Sequence, residues 1–226
     1  MRLYRIFDAL GDSIILLTYF QKYDIKTVYY NRGKFERLTL LSNYLNISLP
    51  NFVKVNEKIE TDMIDVLVQL TKDNVNLISF NNNAEKGDYQ TTQVGSKWTA
   101  SSDRNITKEE TQEYLTHALV KDVSIATTIG DIIKLLSSSQ KHVSMDSGTA
   151  WLSAALGIDT IVISKNSYYW HEAYYYMRYL SIQKSVQNIY PKIKKATEKE
   201  FNNALVNNNV SEPYSYETYL NKIKKL

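Results

Sequence analysis

The stretch best suited to chemistry is His142 to Ile163, and within it Asp146-Ser147-Gly148-Thr149. That quartet has the composition of a turn that becomes a helix N-terminus. A turn opening a helix at the carboxyl end of a strand presents backbone N–H groups and the positive end of the helix dipole, which suits an anion such as a diphosphate. A short Gly/Ser turn is also common in α/β proteins that bind no phosphate. Lys97 and Arg104 are basic residues that, facing a diphosphate, neutralise leaving-group charge without a metal. An ordinary solvated role fits them equally. At Leu10-Gly11-Asp12, glycine permits a tight turn and the carboxylate sits at or just inside a helix start, where the dipole favours its charged form. Taken alone, Asp12 reads as an N-cap. Residues 168–179 are the densest aromatic segment and include His171 and Glu172. At helical spacing Tyr168, Glu172, Tyr175, Tyr176 and Tyr179 line a face that reads as packing, with a stacking surface for a sugar or base as the alternative. His142 reads as a strand residue with a satisfied hydrogen bond.

The elements that must position these residues are legible on either side. Residues 2–7 read as a strand, 13–23 as a helix apolar nearly all round, and 26–30 as a second strand. This β-α-β opening begins a doubly wound sheet. Residues 35–45 and 61–70 follow as helices, 52–55 and 76–80 as strands. Residues 81–104 turn polar and rich in Asn, Gly and Ser, which places a lobe boundary there. Thr107-Lys-Glu-Glu110 has capping-box spacing, with a helix to about 119. A strand at 123–126 and a helix at 129–136 lead to His142–Met145, a brief strand. Small apolar residues 150–156 form a helix that Gly157 ends, and Ile161-Val-Ile163 re-enters a buried sheet. Two further helical stretches, 197–206 and 216–226, lie in a Lys- and Asn-rich tail.

Composition narrows the classes. The 226 residues can bury a real core, with 43% hydrophobic and 23% charged residues. With no cysteine and three histidines, none at paired spacing, thiolate chemistry is excluded and a dedicated metal site is not expected. No apolar run reaches the roughly 20 residues of a membrane span. The N-terminus lacks a signal-peptide core, so a cytoplasmic protein is expected. A net charge of +3 permits a polyanionic partner without arguing for one. P-loop and dinucleotide-fold glycine motifs are absent.

Asp146-Ser147-Gly148-Thr149-Ala150-x-Leu152-x-Ala154-Ala155-Leu156-Gly157 resembles the Asp-Ser-Gly…Ala-Ala-Leu-Gly signature of the lipopolysaccharide heptosyltransferase family. Leu10-Gly11-Asp12 after a first strand is similar to that family's N-terminal signature. Lys97-Trp98 loosely matches its Lys-x-Trp element, while Trp151 stands where the family usually has His. The resemblance implies an α/β, GT-B-like fold of two compact Rossmann-like lobes with a cleft between them. Residues 1–85 would form the acceptor-side lobe, 86–183 the donor-side lobe, and 184–226 helices crossing back to the first. The implied activity is metal-independent, cofactor-free, inverting transfer from a nucleoside-diphosphate sugar. Asp12 would be the general base, with Asp8 as substitute. Asp146, Ser147, Gly148 and Thr149, with Lys97 and Arg104, would hold the donor. Gly11, Trp151, His171 and Glu172 would line the acceptor side or cleft. The acceptor would be a glycan or small molecule. A compact phage-encoded relative could instead glycosylate a hydroxylated DNA base, with Lys192, Lys194 and Lys195 as the basic surface, or bind a nucleotide-sugar without turning it over.

Overall fold

The computed structural model describes residues 1–6, 8–59, 61–95, 105–164 and 172–189, with isolated positions 197–199, 202, 215–217 and 220; at 172–175 and 177 it describes the backbone alone. The fold is α/β with two parallel sheets. Strands β1 (Arg2–Ile6), β2 (Thr27–Gly33) and β3 (Asn51–Lys54) form the first, in that order, and helices α1 (Leu10–Lys22), α2 (Glu36–Leu45) and α3 (Met63–Lys72) follow them in turn. The outer edge of β1 is used as well: the Tyr4 N–H donates to the Thr61 carbonyl at 2.7 Å.

The second sheet comprises β4 (Gln90–Gln93), β5 (Val120–Asp122), β6 (Lys141–Met145), β7 (Asp159–Ile163) and β8 (Val186–Asn188). Its helices are α4 (Lys108–Gln112), α5 (Ile129–Ser137), α6 (Gly148–Ala155) and α7 (Glu172–Ser181). The spatial order is β5-β4-β6-β7-β8. Counted from its own first strand this is 2-1-3-4-5, the flavodoxin-like order, whose switch point lies between β4 and β6. α1 and α3 pack against α6 and α7, and a single apolar core runs through all four helices, from Ile14–Leu17 and Leu67 to Trp151, Tyr179 and Leu180. A smaller cluster of Ile106, Val143, Met145, Ile161 and Ile163 covers the opposite face of the second sheet.

Three expectations are corrected. Residues 76–80 are no strand. They have no ladder partner, and their amides find other acceptors: Leu77 N–H bonds Gln183 Oε1 at 2.8 Å, Ile78 N–H bonds Thr18 Oγ1 at 3.0 Å, and Phe80 N–H bonds the Ala155 carbonyl at 2.9 Å. Buried amides need a partner, and here side chains and a helix end supply it in place of a ladder. The helix expected from 107 to 119 stops at Gln112, although its capping box on Thr107 and Glu110 forms. The strand expected at 123–126 sits earlier, at 120–122, and Val123–Ile125 is a 3₁₀ turn. No helix among the described residues is long and apolar enough to cross a membrane.

Candidate functional site

Asp12 lies in the first turn of α1 but does not cap it. The N-cap is Ala9, in extended conformation, with no side-chain cap hydrogen bond among the described residues. Asp12 is 8% exposed, and its Oδ1 accepts a hydrogen bond from the Tyr176 hydroxyl of α7. Burial raises its pKa to about 6, the Tyr176 hydrogen bond pulling the other way. Desolvation therefore outweighs the helix dipole expected to hold the group ionised. The neighbouring Asp8 is differently employed: its Oδ1 accepts from the Arg37 N–H at 2.8 Å, at the start of α2.

Two glycines set how closely the sheets' helices approach. A Cβ on Gly11 would stand 2.9 Å from Trp151 Cδ1, and a Cβ on Gly148 would stand 2.7 Å from Leu10 Cβ. The first turns of α1 and α6 therefore lie directly against each other. Trp151 is 2% exposed, edge-on to Tyr176 at 5.8 Å between ring centroids and stacked on Tyr179 at 6.0 Å. It is a wall beneath Gly11, part of the shared core.

The turn into α6 sits at the carboxyl ends of β4 and β6, at the switch point, where open α/β sheets place ligands. Its hydroxyls are cross-linked to the sheet. Ser147 Oγ donates to Gln93 Oε1 at 2.9 Å, Thr149 Oγ1 donates to the same oxygen, and the two hydroxyl oxygens are 3.0 Å apart. Behind them His142 Nε2 lies 3.1 Å from Thr149 Oγ1, and His142 Nδ1 lies 3.0 Å from Thr91 Oγ1. Each ring nitrogen thus faces a hydroxyl, the tautomer sets which of the two donates, and the Thr91 hydroxyl also donates to the Lys141 carbonyl at 3.2 Å. Burial lowers the His142 pKa to about 3, so the ring is neutral and held at both nitrogens. With Ser147 and Thr149 turned toward Gln93, the Ala150 N–H donating to the Ser147 carbonyl at 3.1 Å, and no side chain among the described residues capping α6, the Gly148 and Thr149 backbone N–H groups are what the turn offers an anion.

The structure thus brings together Gly11, Asp12, Gly148 and Trp151, with Asp146, Ser147 and Thr149 on the adjoining turn. Lys97, Arg104, His171, Lys192, Lys194 and Lys195 lie outside the described residues, as does the side chain of Glu172. Two residues were not singled out from sequence. Gln93 ends a strand, Gln-Thr-Thr-Gln, too polar to read as one. Tyr176 shared its apparent face with four other residues, and only the inner spacing of Tyr176, Tyr179, Leu180 and Gln183 marks it. Among the described residues no three acidic or histidine side chains converge as a metal group would need. A hollow of about 710 Å³ lies apart from Asp12, lined by Lys86, Tyr89, Lys121 and Lys134 among others. Two of its lysines have local duties: Lys86 donates to the Ser137 and Ser139 carbonyls at the end of α5, and Lys121 covers the Tyr89 ring at 3.6 Å.

No family model, curated protein or solved structure matches the chain.

Proposed function

We propose that the chain is a metal-independent inverting glycosyltransferase of the cytoplasm, a compact GT-B relative that uses a nucleoside-diphosphate sugar. The observation that carries this reading is the contact between the two motif-bearing turns, with the Asp12 carboxyl buried beside it and already hydrogen-bonded to a hydroxyl. A carboxyl with a pKa of about 6 is mostly ionised at neutral pH yet basic enough to take a proton in the transition state. In the reaction an acceptor hydroxyl gives its proton to Asp12 as its oxygen attacks the anomeric carbon. The bond from that carbon to the diphosphate oxygen breaks, and the nucleoside diphosphate leaves with the electron pair. The first-turn amides of α6 would receive the diphosphate, and Lys97 and Arg104 would balance its charge.

The test joins a thermal-shift screen of UDP-, GDP- and ADP-sugars to an assay for released nucleoside diphosphate. A true donor at 100 times its dissociation constant stabilises the fold by about 2.7 kcal/mol. Glycans, small alcohols and DNA carrying a hydroxylated base serve as acceptor arms. Affinity for the DNA arm should fall steeply with salt if phosphates are contacted. No stabilisation by any donor overturns the proposal. A second reading, a non-catalytic nucleotide-sugar binder, is favoured by one observation: Trp151 and Leu10 already fill the space beside Gly11 and Gly148. Binding without release of nucleoside diphosphate selects it.

A further inference from the structure

The base of a transferase is found by asking which hydroxyl it touches. Here the hydroxyl on Asp12 belongs to the chain itself. We propose that Tyr176 is an acceptor: the protein transfers one sugar to its own Tyr176 phenol oxygen, an inference that rests on the glycosyltransferase reading above.

Nucleophile and base are in hydrogen-bond contact, with the Tyr176 O–H donating to Asp12 Oδ1. That pairing is the geometric requirement for an activated hydroxyl. The Tyr176 side chain is half-buried, so it is held without being sealed off. The Trp151 edge flanks its ring. Phenols ionise near pH 10, so tyrosine is the most acidic hydroxyl among protein side chains. An intramolecular nucleophile also holds an advantage over one that diffuses in, with effective molarities of roughly 10⁵–10⁸ M for well-oriented pairs. Any free acceptor that uses the same Asp12 oxygen must first displace this phenol. The step balances. Asp12 takes the phenolic proton, the phenol oxygen bonds the anomeric carbon, and the nucleoside diphosphate departs with the electrons of the broken bond. Asp12 then releases its proton to water.

Two other tyrosines act as controls built into the fold. Tyr179 is fully buried against Trp151, and among the described residues no carboxylate is hydrogen-bonded to its hydroxyl, so no base serves it. Tyr23 does touch a carboxylate, with its hydroxyl 2.5 Å from Asp73 Oδ2, but that pair stands at the far end of α1. The exposed Asp73 is held below the usual carboxylate range by the Tyr23 and Gln69 hydrogen bonds, which makes it a weak base.

The experiment incubates the full chain with UDP-, GDP- and ADP-sugars, then measures intact mass and maps modified peptides. The expected result is a gain of one sugar on the peptide holding Tyr176, none on those holding Tyr23 or Tyr179, and loss of labelling by at least 100-fold in Asp12→Asn and completely in Tyr176→Phe. Peptide mapping of the parent keeps the test valid if Tyr176→Phe does not fold. A parent that releases nucleoside diphosphate or glycosylates an added acceptor while its own mass stays unchanged overturns self-transfer and leaves the glycosyltransferase standing. Labelling at a tyrosine other than 176 also overturns it. A chain that neither binds nor cleaves any donor overturns both.

Discussion

The two strand–turn–helix units, β1–α1 and β6–α6, share a plan and treat their polar groups in opposite ways. At β6–α6 each buried side chain is answered: Gln93, Ser147, Thr149, His142 and Thr91 form one connected hydrogen-bond chain. At β1–α1 a buried carboxyl meets one phenol, and the next hydroxyl, Ser13 Oγ, finds no partner among the described residues. A satisfied network fixes a shape. A buried carboxyl raised to about 6 is ionised at neutral pH only at a cost in stability. Under the proposed function the second turn frames the site and the first carries its reactivity.

The sharpest way to break that assignment is Asp12→Asn. Under the proposed mechanism the amide cannot take the acceptor proton, and turnover should fall by about 10²- to 10⁴-fold with donor affinity retained. In the parent, kcat/KM should climb with pH through about 6 as Asp12 ionises. A variant with full turnover would move the base elsewhere and erase the distinction between the turns.

The next effect belongs to the framing unit. His142 has a pKa of about 3 in the fold against 6.5 unfolded. The unfolded chain therefore binds the extra proton, and stability is lost as pH falls from about 6.5 toward 3. At 1.36 kcal/mol per unit the full loss is on the order of 5 kcal/mol. His142→Gln should flatten this acid limb in urea titrations run from pH 7 to pH 4. An unchanged limb would mean that the ring already protonates in the fold.

Asp12 should act with the opposite sign. Its folded pKa of about 6 stands above the ordinary 3.8, so the native state holds the extra proton between those values. Its contribution is favourable below pH 3.8 and is lost as pH rises through 6, a cost on the order of 3 kcal/mol at neutral pH. Asp12→Asn should therefore be the more stable protein at pH 7.5, by up to that amount, with the difference vanishing near pH 4. Guanidinium midpoints at the two pH values decide it. A less stable variant at neutral pH would show the carboxylate to be structural.

These contrasts also explain what could be read before the structure. The β1–α1 and β6–α6–β7 units were legible because apolar periodicity and a terminal Gly157 are local signals. β4 was not, because Gln90, Thr91 and Gln93 look like loop residues until Ser147, His142 and Thr116 are seen to bond them. Residues 76–80 were misjudged for the converse reason: a strand-like composition whose amides are satisfied by Gln183 and Thr18. The Asp12–Tyr176 pair joins residues 164 apart in sequence, and no local pattern encodes that. Asp12 itself was singled out through a motif, while its burial, which sets its pKa, is a tertiary property that no local pattern carries.

The smallest expected effect separates two uses of a glycine at the second turn. A glycine at the start of a phosphate-binding helix lets the backbone approach the ligand, while a glycine between helices lets the helices approach each other. At Gly148 an added methyl would meet Leu10 Cβ at 2.7 Å, closer than unstrained carbons stand. That neighbour is fixed to the α1 backbone, so it cannot swing aside like the end of a flexible side chain. Alanine's better helix propensity, worth up to about 1 kcal/mol in a helix interior, counts for less at the first helical position. Overpacking of this kind costs about 1–3 kcal/mol. Gly148→Ala should therefore lower Tm by a few degrees, at roughly 2–4 °C per kcal/mol for a chain of this size. Gly11→Ala should cost a comparable amount, because its contact is the buried Trp151 ring at 2.9 Å, packed in turn on Tyr176 and Tyr179. If Gly148→Ala instead leaves Tm unchanged and weakens donor binding alone, the glycine serves the ligand, and the second turn shares the reactivity assigned to the first.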